Sequence, residues 1–164
     1  MRYGYFFETQ VGCLYIEEEE GFLVQLGKAG EPAAKKAAEE AAGVCFQETA
    51  LLRRTKEEVL EYLKGERKCF DIPLRPDGTA FQKRIWEALQ QIPWGETRTY
   101  GQIAVMAGCE KGARAAGQAC NKNPIMILVP CHRVMGGDGR LTGFGGGLPM
   151  KRAFLTIEGI PWKE

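Results

Sequence analysis

Histidine is nearly absent from this chain of 164 residues: His132 is the one imidazole it has. That scarcity argues against a His-rich metal centre. The six cysteines do not supply a site either, since no two stand at C-x-x-C spacing, and no metal or other cofactor is expected. Long apolar runs are missing too. Nothing approaches the ~20 residues a membrane span needs, so no membrane association is expected. The opening MRYGYFFETQVG places Glu8 and Gln10 where a signal peptide would continue its apolar core, which argues against secretion and for the cytoplasm. A chain this long can bury a core without staples, so the cysteines read as several buried thiols in a reducing compartment. Internal repeats and low-complexity tracts are absent as well.

What is present is an ordinary globular composition, 45% hydrophobic and 26% charged, with length for one domain or two small ones. The net charge of +1 hides an asymmetry. Residues 1–76 carry 11 Lys/Arg against 14 Asp/Glu, and residues 77–164 carry 11 against 7. A basic excess of +4 in the second part is compatible with a nucleic-acid face, although solvated surface charge produces the same number. RPDG breaks the chain between the two parts, and a domain boundary is placed near Pro76, giving domains 1–76 and 77–164.

The first part reads as α/β. YGYFFETQVGCLYIEEEEGFLVQLGKAG alternates apolar stretches with turn signals, with EEEEG as a solvated hairpin tip. EPAAKKAAEEAAG reads as a helix from Pro32 to Gly43, TKEEVLEYLKG as a second with a Thr55–Glu58 capping box, and KCFDIPL as a last strand. The second part is mostly helical. TAFQKRIWEALQQI has a Thr79–Gln82 capping box and a core stripe of Phe81, Ile85, Ala88, Leu89 and Ile92. TYGQIAVMAG, capped by Thr99–Gln102, leads almost at once into GARAAGQACNKNP, which is small on one face. Two such helices fit a helix-turn-helix, as they fit helical hairpins that never touch DNA. LPMKRAFLTIEG is the final helix, so the whole chain is α+β.

Chemistry concentrates in ILVPCHRV, residues 127–134, where Cys131 stands beside His132. A thiol is only a few per cent ionised near neutral pH, so a reactive one needs a proton-accepting partner. The apolar run IMILV leads in like a strand, and a Gly-rich loop, GGDGRLTGFGGG, leads out, which is a suitable place to meet substrate. A buried thiol beside a surface imidazole is the plainer account of the same residues. Neighbours on extended backbone point apart, so the pair would act through a water or a third group, with Glu158 the leading candidate to orient the imidazole.

NPIMILVPCHRVMGGDGRLTGFGGGLPMKRAFLTIEG resembles the active-site region of the O6-alkylguanine-DNA alkyltransferases. TRTYGQIAVMAG and ARAAGQACNKNP resemble the same family in the same order, and the likeness runs closely over residues 79–160. The resemblance implies a ribonuclease H-like N-terminal domain and a winged-helix-like DNA-binding domain holding the alkyl acceptor. It implies that Cys131 takes the alkyl group from O6-alkylguanine in duplex DNA by SN2 displacement, once per molecule. O4-alkylthymine is a further candidate lesion. His132 would take the thiol proton through a water, with Glu158 orienting it, and Tyr100 would donate towards guanine N3. Asn123 would tie the DNA-reading helix to the Cys segment. Arg114 would fill the gap left by the flipped base, with Ala113, Ala115, Gly117, Tyr100 and Arg133 at the DNA. The small helix face suits a minor groove. Val134, Met126, Phe144, Gly145 and Lys151 would line the substrate pocket. Met126, Phe144 and Gly145 replace a common Pro, Tyr and Ser of the family. A monomer, nucleoid-associated in a prokaryote, is expected. The competing readings are a non-catalytic binder of alkylated DNA, which would lack the reactive Cys, and a generic thiol hydrolase, which would want an oxyanion hole.

Overall fold

The computed structural model describes residues 1–163 and divides into two compact units, Met1–Pro76 and Asp77–Glu164. In the first unit β1 (Arg2–Thr9), β2 (Gly12–Glu19) and β3 (Phe22–Lys28) form an antiparallel meander. Helix α1 (Pro32–Ala41) then carries the chain to β4 (Val44–Phe46), which lies parallel to β1, giving the order β3-β2-β1-β4. Helix α2 (Ala50–Leu63) buries Leu52, Val59 and Tyr62. Leu14, Ile16, Leu23 and Leu26 of the strands are likewise sealed from solvent.

Three local expectations change in this unit. The acidic run is not a solvated tip. Glu17 and Glu18 lie buried within β2, Glu17 bonded to the Tyr15 hydroxyl at 2.6 Å and Glu18 to Thr49, and the turn tightens to Glu20 and Gly21, both at positive φ. A buried carboxylate is tolerated only with such partners. Helix α2 begins at Ala50, five residues before Thr55, on an N-cap from Thr49, whose Oγ1 accepts from Leu52 N at 3.2 Å. Thr55 is buried inside the helix and donates to Leu51 O. KCFDIPL contributes a single bridge, Leu23 to Leu74, because Pro73 has no N–H to extend a ladder.

The second unit comprises α3 (Ala80–Leu89), β5 (Arg98–Thr99), α4 (Tyr100–Met106), α5 (Ala113–Asn121), β6 (Val134–Met135) and α6 (Leu148–Ile157). Both capping boxes read from this part of the sequence form, at Thr79–Gln82 and Thr99–Gln102. Ile85, Trp86 and Leu89 of α3 are buried, as are Ile103 and Ala104 of α4 and Ala116 and Ala119 of α5. The indole N–H of Trp86 donates to Ala119 O at 2.9 Å, fastening α3 to α5 inside the core.

Two features position the site. Strands β5 and β6 pair in parallel, Arg98 with Val134 and Thr99 with Met135, which sets the start of α4 beside the segment after Cys131. The run IMILV is not a strand. Asn123 Oδ1 takes the N–H of Ile125, and turns follow with Ile127 at φ 74°. Its residues are apolar because all of Ile125–Val129 is buried, not because they form a pleat. Burial without periodicity is what made the run ambiguous.

Replacing Thr79 by Ala removes the box at the start of α3, far along the chain from the Cys131 segment. The expected loss is about 1 kcal/mol of unfolding free energy, read as a lower urea midpoint for the second unit. Thr79→Ser should stay within a few tenths of a kcal/mol of wild type. An unchanged midpoint in Thr79→Ala would mean the cap contributes nothing.

Candidate active site

A tight 3₁₀ turn, Cys131–Arg133, follows Pro130 and delivers three consecutive side chains into the interior. His132 is fully buried, and Cys131 and Arg133 are each 6% exposed. The turn separates what an extended chain would have pointed alternately. Cys131 Sγ receives a hydrogen bond from Asn123 Nδ2 at 3.2 Å, and the same nitrogen donates to Val129 O at 2.8 Å. Asn123 stands just past the Lys122 C-cap of α5, so one amide joins the end of that helix, the turn and the thiol.

His132 turns to α6. Its Nε2 lies 2.6 Å from Glu158 Oε2, with both side chains shut off from solvent. A carboxylate only accepts, so Nε2 carries the proton and the lone pair of neutral imidazole falls on Nδ1. The ring meets Phe154 edge-on at 5.3 Å, and Phe144 packs in turn on Phe154. Glu158 Oε1 also accepts from Arg133 Nε at 2.8 Å and from Gly95 N at 3.1 Å, and Oε2 from Arg133 Nη2 at 3.2 Å. Arg133 Nη1 completes the arrangement by donating to Ile92 O at 2.6 Å.

These contacts correct the expectation for Arg133. Its guanidinium is buried in the ion pair with Glu158 and is not presented to DNA. The physical reason is compensation: a buried Glu158 accepting from a neutral imidazole needs a cation, and the residue after His132 supplies it. Removing one partner of such a pair typically destabilises by ~3–5 kcal/mol.

Burial pushes the Cys131 thiol up to about 11, while the Asn123 hydrogen bond and the charge of Lys151 act in the opposite direction. Burial lowers His132, with the Glu158 contact opposing it. At neutral pH the resting pair is therefore thiol and neutral imidazole. Lys151 is fully buried, donates to Val134 O at 2.8 Å, and is itself held below its ordinary value by desolvation. Cys131 and Cys120 act against that lowering.

The remaining residues named from the sequence are found as follows. Met126 and Val134 are buried, Phe144 is half-buried, and Gly145 is exposed. Ala113, Arg114 and Ala115 are exposed on the first turn of α5, whereas Ala116, Ala119 and Cys120 are buried. Gly117 is turned inwards, and a Cβ there would stand 3.6 Å from the Tyr100 ring. Tyr100 is half-buried, and its hydroxyl meets Thr142 Oγ1 at 2.5 Å. Sequence reasoning missed Thr142, Gly95 and Ile92. The latter two act through the backbone, so no side-chain pattern could reveal them. Of the six thiols, only Cys120 and Cys131 are buried, against the expectation of several, and all six are free.

A family model described as 6-O-methylguanine DNA methyltransferase, DNA binding domain, matches residues 80–160. The constitutive methylated-DNA–protein-cysteine methyltransferase of Bacillus subtilis is 42% identical over 158 residues, 96% of this chain and 95% of that one. That of Methanosarcina acetivorans is 52% identical over 107 residues, 65% of this chain and 69% of the other. Among solved structures, Mycobacterium tuberculosis O6-methylguanine methyltransferase superposes with a TM-score of 0.84 at 36% identity, covering 96% of this chain and 93% of that chain. The Mycobacterium tuberculosis protein in complex with DNA gives the same TM-score and identity, covering 95% and 92%. With a relative 42% identical along nearly its full length, this chain belongs to the methylated-DNA–protein-cysteine methyltransferase family.

Proposed function

We propose that this protein repairs O6-alkylguanine in duplex DNA by moving the alkyl group irreversibly to its own Cys131. The observation that carries the reading is the 2.6 Å bond from His132 to Glu158. It keeps the imidazole proton on Nε2 and the lone pair on Nδ1, one residue along the chain from a thiol that burial holds neutral. As the alkylated base enters, Nδ1 takes the thiol proton through a water. The Sγ–carbon bond forms while the carbon–O6 bond breaks, and the electron pair leaves with the purine. The proton is returned to the purine, so thiol and alkylguanine become thioether and guanine. A thioether has no route back to thiol here, so each molecule reacts once.

The base must leave the stack to reach a thiol this deep, which costs a few kcal/mol. Helix α5 is suited to the minor groove because its exposed first turn reads Ala113, Arg114 and Ala115, small on either side of one long cation. Arg114 occupies the vacated stack, and Tyr100 donates towards guanine N3. Val134, Met126, Phe144, Gly145 and Lys151 wall the alkylguanine pocket. The helix pair with the β5–β6 ribbon supports a winged-helix-like reading of the second unit. The meander followed by a parallel strand supports a ribonuclease H-like reading of the first.

The direct test is intact-protein mass after mixing with a duplex carrying O6-methylguanine. One added methylene, absent in Cys131→Ala while that variant still binds the duplex, is the expected result. Bound but unmodified wild-type protein would overturn the transfer reading.

The single-turnover rate should be flat from about pH 7 to pH 9, because neutral thiol and neutral imidazole both persist there. It should fall only on acidification below the ordinary histidine range near 6.5, since burial lowers His132. A tenfold rise per pH unit across that window would mean a free thiolate without the imidazole.

Arg114→Ala should slow transfer from duplex by about 10-fold or more while leaving reaction with free O6-benzylguanine near wild type, since a free base needs no flipping. Equal slowing of both substrates would remove Arg114 from the flipping step.

A further inference from the structure

The contact between Tyr100 and Thr142 joins the first residue of α4 to the Gly-rich loop across 42 positions of sequence. We propose that Thr142 is a positioning residue for alkyl transfer: its hydroxyl holds the Tyr100 phenol and donates to the phenol oxygen, freeing the phenol proton for the purine. The proposal rests on the reading above, in which Tyr100 meets guanine N3.

The phenol is held at two points. A Cβ at Gly117 would already stand 3.6 Å from the Tyr100 ring, so α5 supplies a flat seat beneath it. Thr142 takes hold of the far tip at 2.5 Å. The loop that carries Thr142 is itself fastened on both sides. Leu141 N donates to Lys163 O at 3.0 Å, and the Phe144 ring packs edge-on against Phe154 at 6.1 Å. The threonine hydroxyl is therefore not on a free arm.

The proton count then sets the direction. Two hydroxyls share this contact, and in the absence of a base either atom can be the donor. A purine N3 carries a lone pair and no hydrogen, so it can only accept. Once it is present, the phenol proton must point to N3, and the phenol oxygen is left needing a donor. Thr142 supplies one by rotating its hydroxyl, giving the chain Thr142 to Tyr100 to N3. As negative charge develops on the purine the second bond strengthens, and a donor behind the phenol stabilises the charge drawn onto its oxygen. Burial raises the Tyr100 phenol above its ordinary value, and the Thr142 contact works against that rise. Valine has the shape of threonine without the hydroxyl and would leave the phenol oxygen with no such donor.

The experiment compares single-turnover transfer from two duplexes, one carrying O6-methylguanine and one its 3-deaza analogue, in which N3 is replaced by C–H. With the natural base, Thr142→Val should slow transfer by about 3- to 10-fold, the loss of one neutral hydrogen bond, and Thr142→Ser should restore it to within about 2-fold. With the 3-deaza base, wild type and Thr142→Val should react at the same rate, and Thr142→Val added to Tyr100→Phe should slow neither substrate further. Equal slowing of both substrates by Thr142→Val, or no rescue by Ser, would assign Thr142 to loop packing and overturn the proposal. If Tyr100→Phe slows transfer and Thr142→Val does not, the Thr142 role falls while the Tyr100 reading stands. If Tyr100→Phe leaves the natural base unaffected, the Tyr100 reading falls and this proposal with it.

Discussion

A single carboxylate, Glu158 at the end of α6, organises the active-site half of this protein. Sealed from solvent, it accepts from His132 on one oxygen, from Gly95 on the other, and from Arg133 on both. A buried charge without such partners is strongly disfavoured. The consequence is geometric as much as energetic. The 3₁₀ turn must present His132 and Arg133 to α6 together, and that leaves Cys131 facing Asn123. The imidazole tautomer and the place of the thiol follow from satisfying one acid.

The same constraint explains why short elements suffice around the site. β5 and β6 are two residues each, yet their pairing brings Tyr100 alongside the segment after Cys131. Lys151 fastens the other side of that segment by donating to Val134 O from α6. Asn123 closes the circuit by binding both Val129 O and Cys131 Sγ. Lys151 and Asn123 each grip a backbone carbonyl, which steadies a turn that has no ladder of its own.

Local chemistry was legible in the sequence wherever a residue acts on its near neighbours. Thr79 and Thr99 with Gln three places on make real capping boxes, and the apolar stripe is core at Ile85, Ala88 and Leu89 of α3 and at Ile92 beyond its end, with Phe81 half-buried. Thr55–Glu58 has the same spacing and caps nothing, because Thr49 lies nearer the true start and the helix buries Thr55. Spacing cannot distinguish these cases; tertiary burial does. The Cys131, His132 and Glu158 arrangement was accessible from residue types and from the family likeness. Arg133 was not, since a cation beside a reactive pair reads equally as a DNA contact or a counter-ion. Only the position of Glu158 in space decides between them. Thr142 escaped notice because its partner is 42 residues away and nothing periodic links the two.

The depth of Cys131 is intelligible for a protein that reacts once. A thiol pushed up to about 11 is almost wholly protonated at rest. It is thereby slow toward adventitious oxidants and alkylating agents, which attack thiolate. Intrinsic nucleophilicity rises with thiol pKa, so the thiolate, when made, is a strong one. An enzyme that turns over must also release product and recover its nucleophile, and a buried thiol hinders both. Here neither step exists. In the proposed reaction burial can then serve selectivity alone, since ionisation would be deferred until the alkylated base is bound and the imidazole can take the proton.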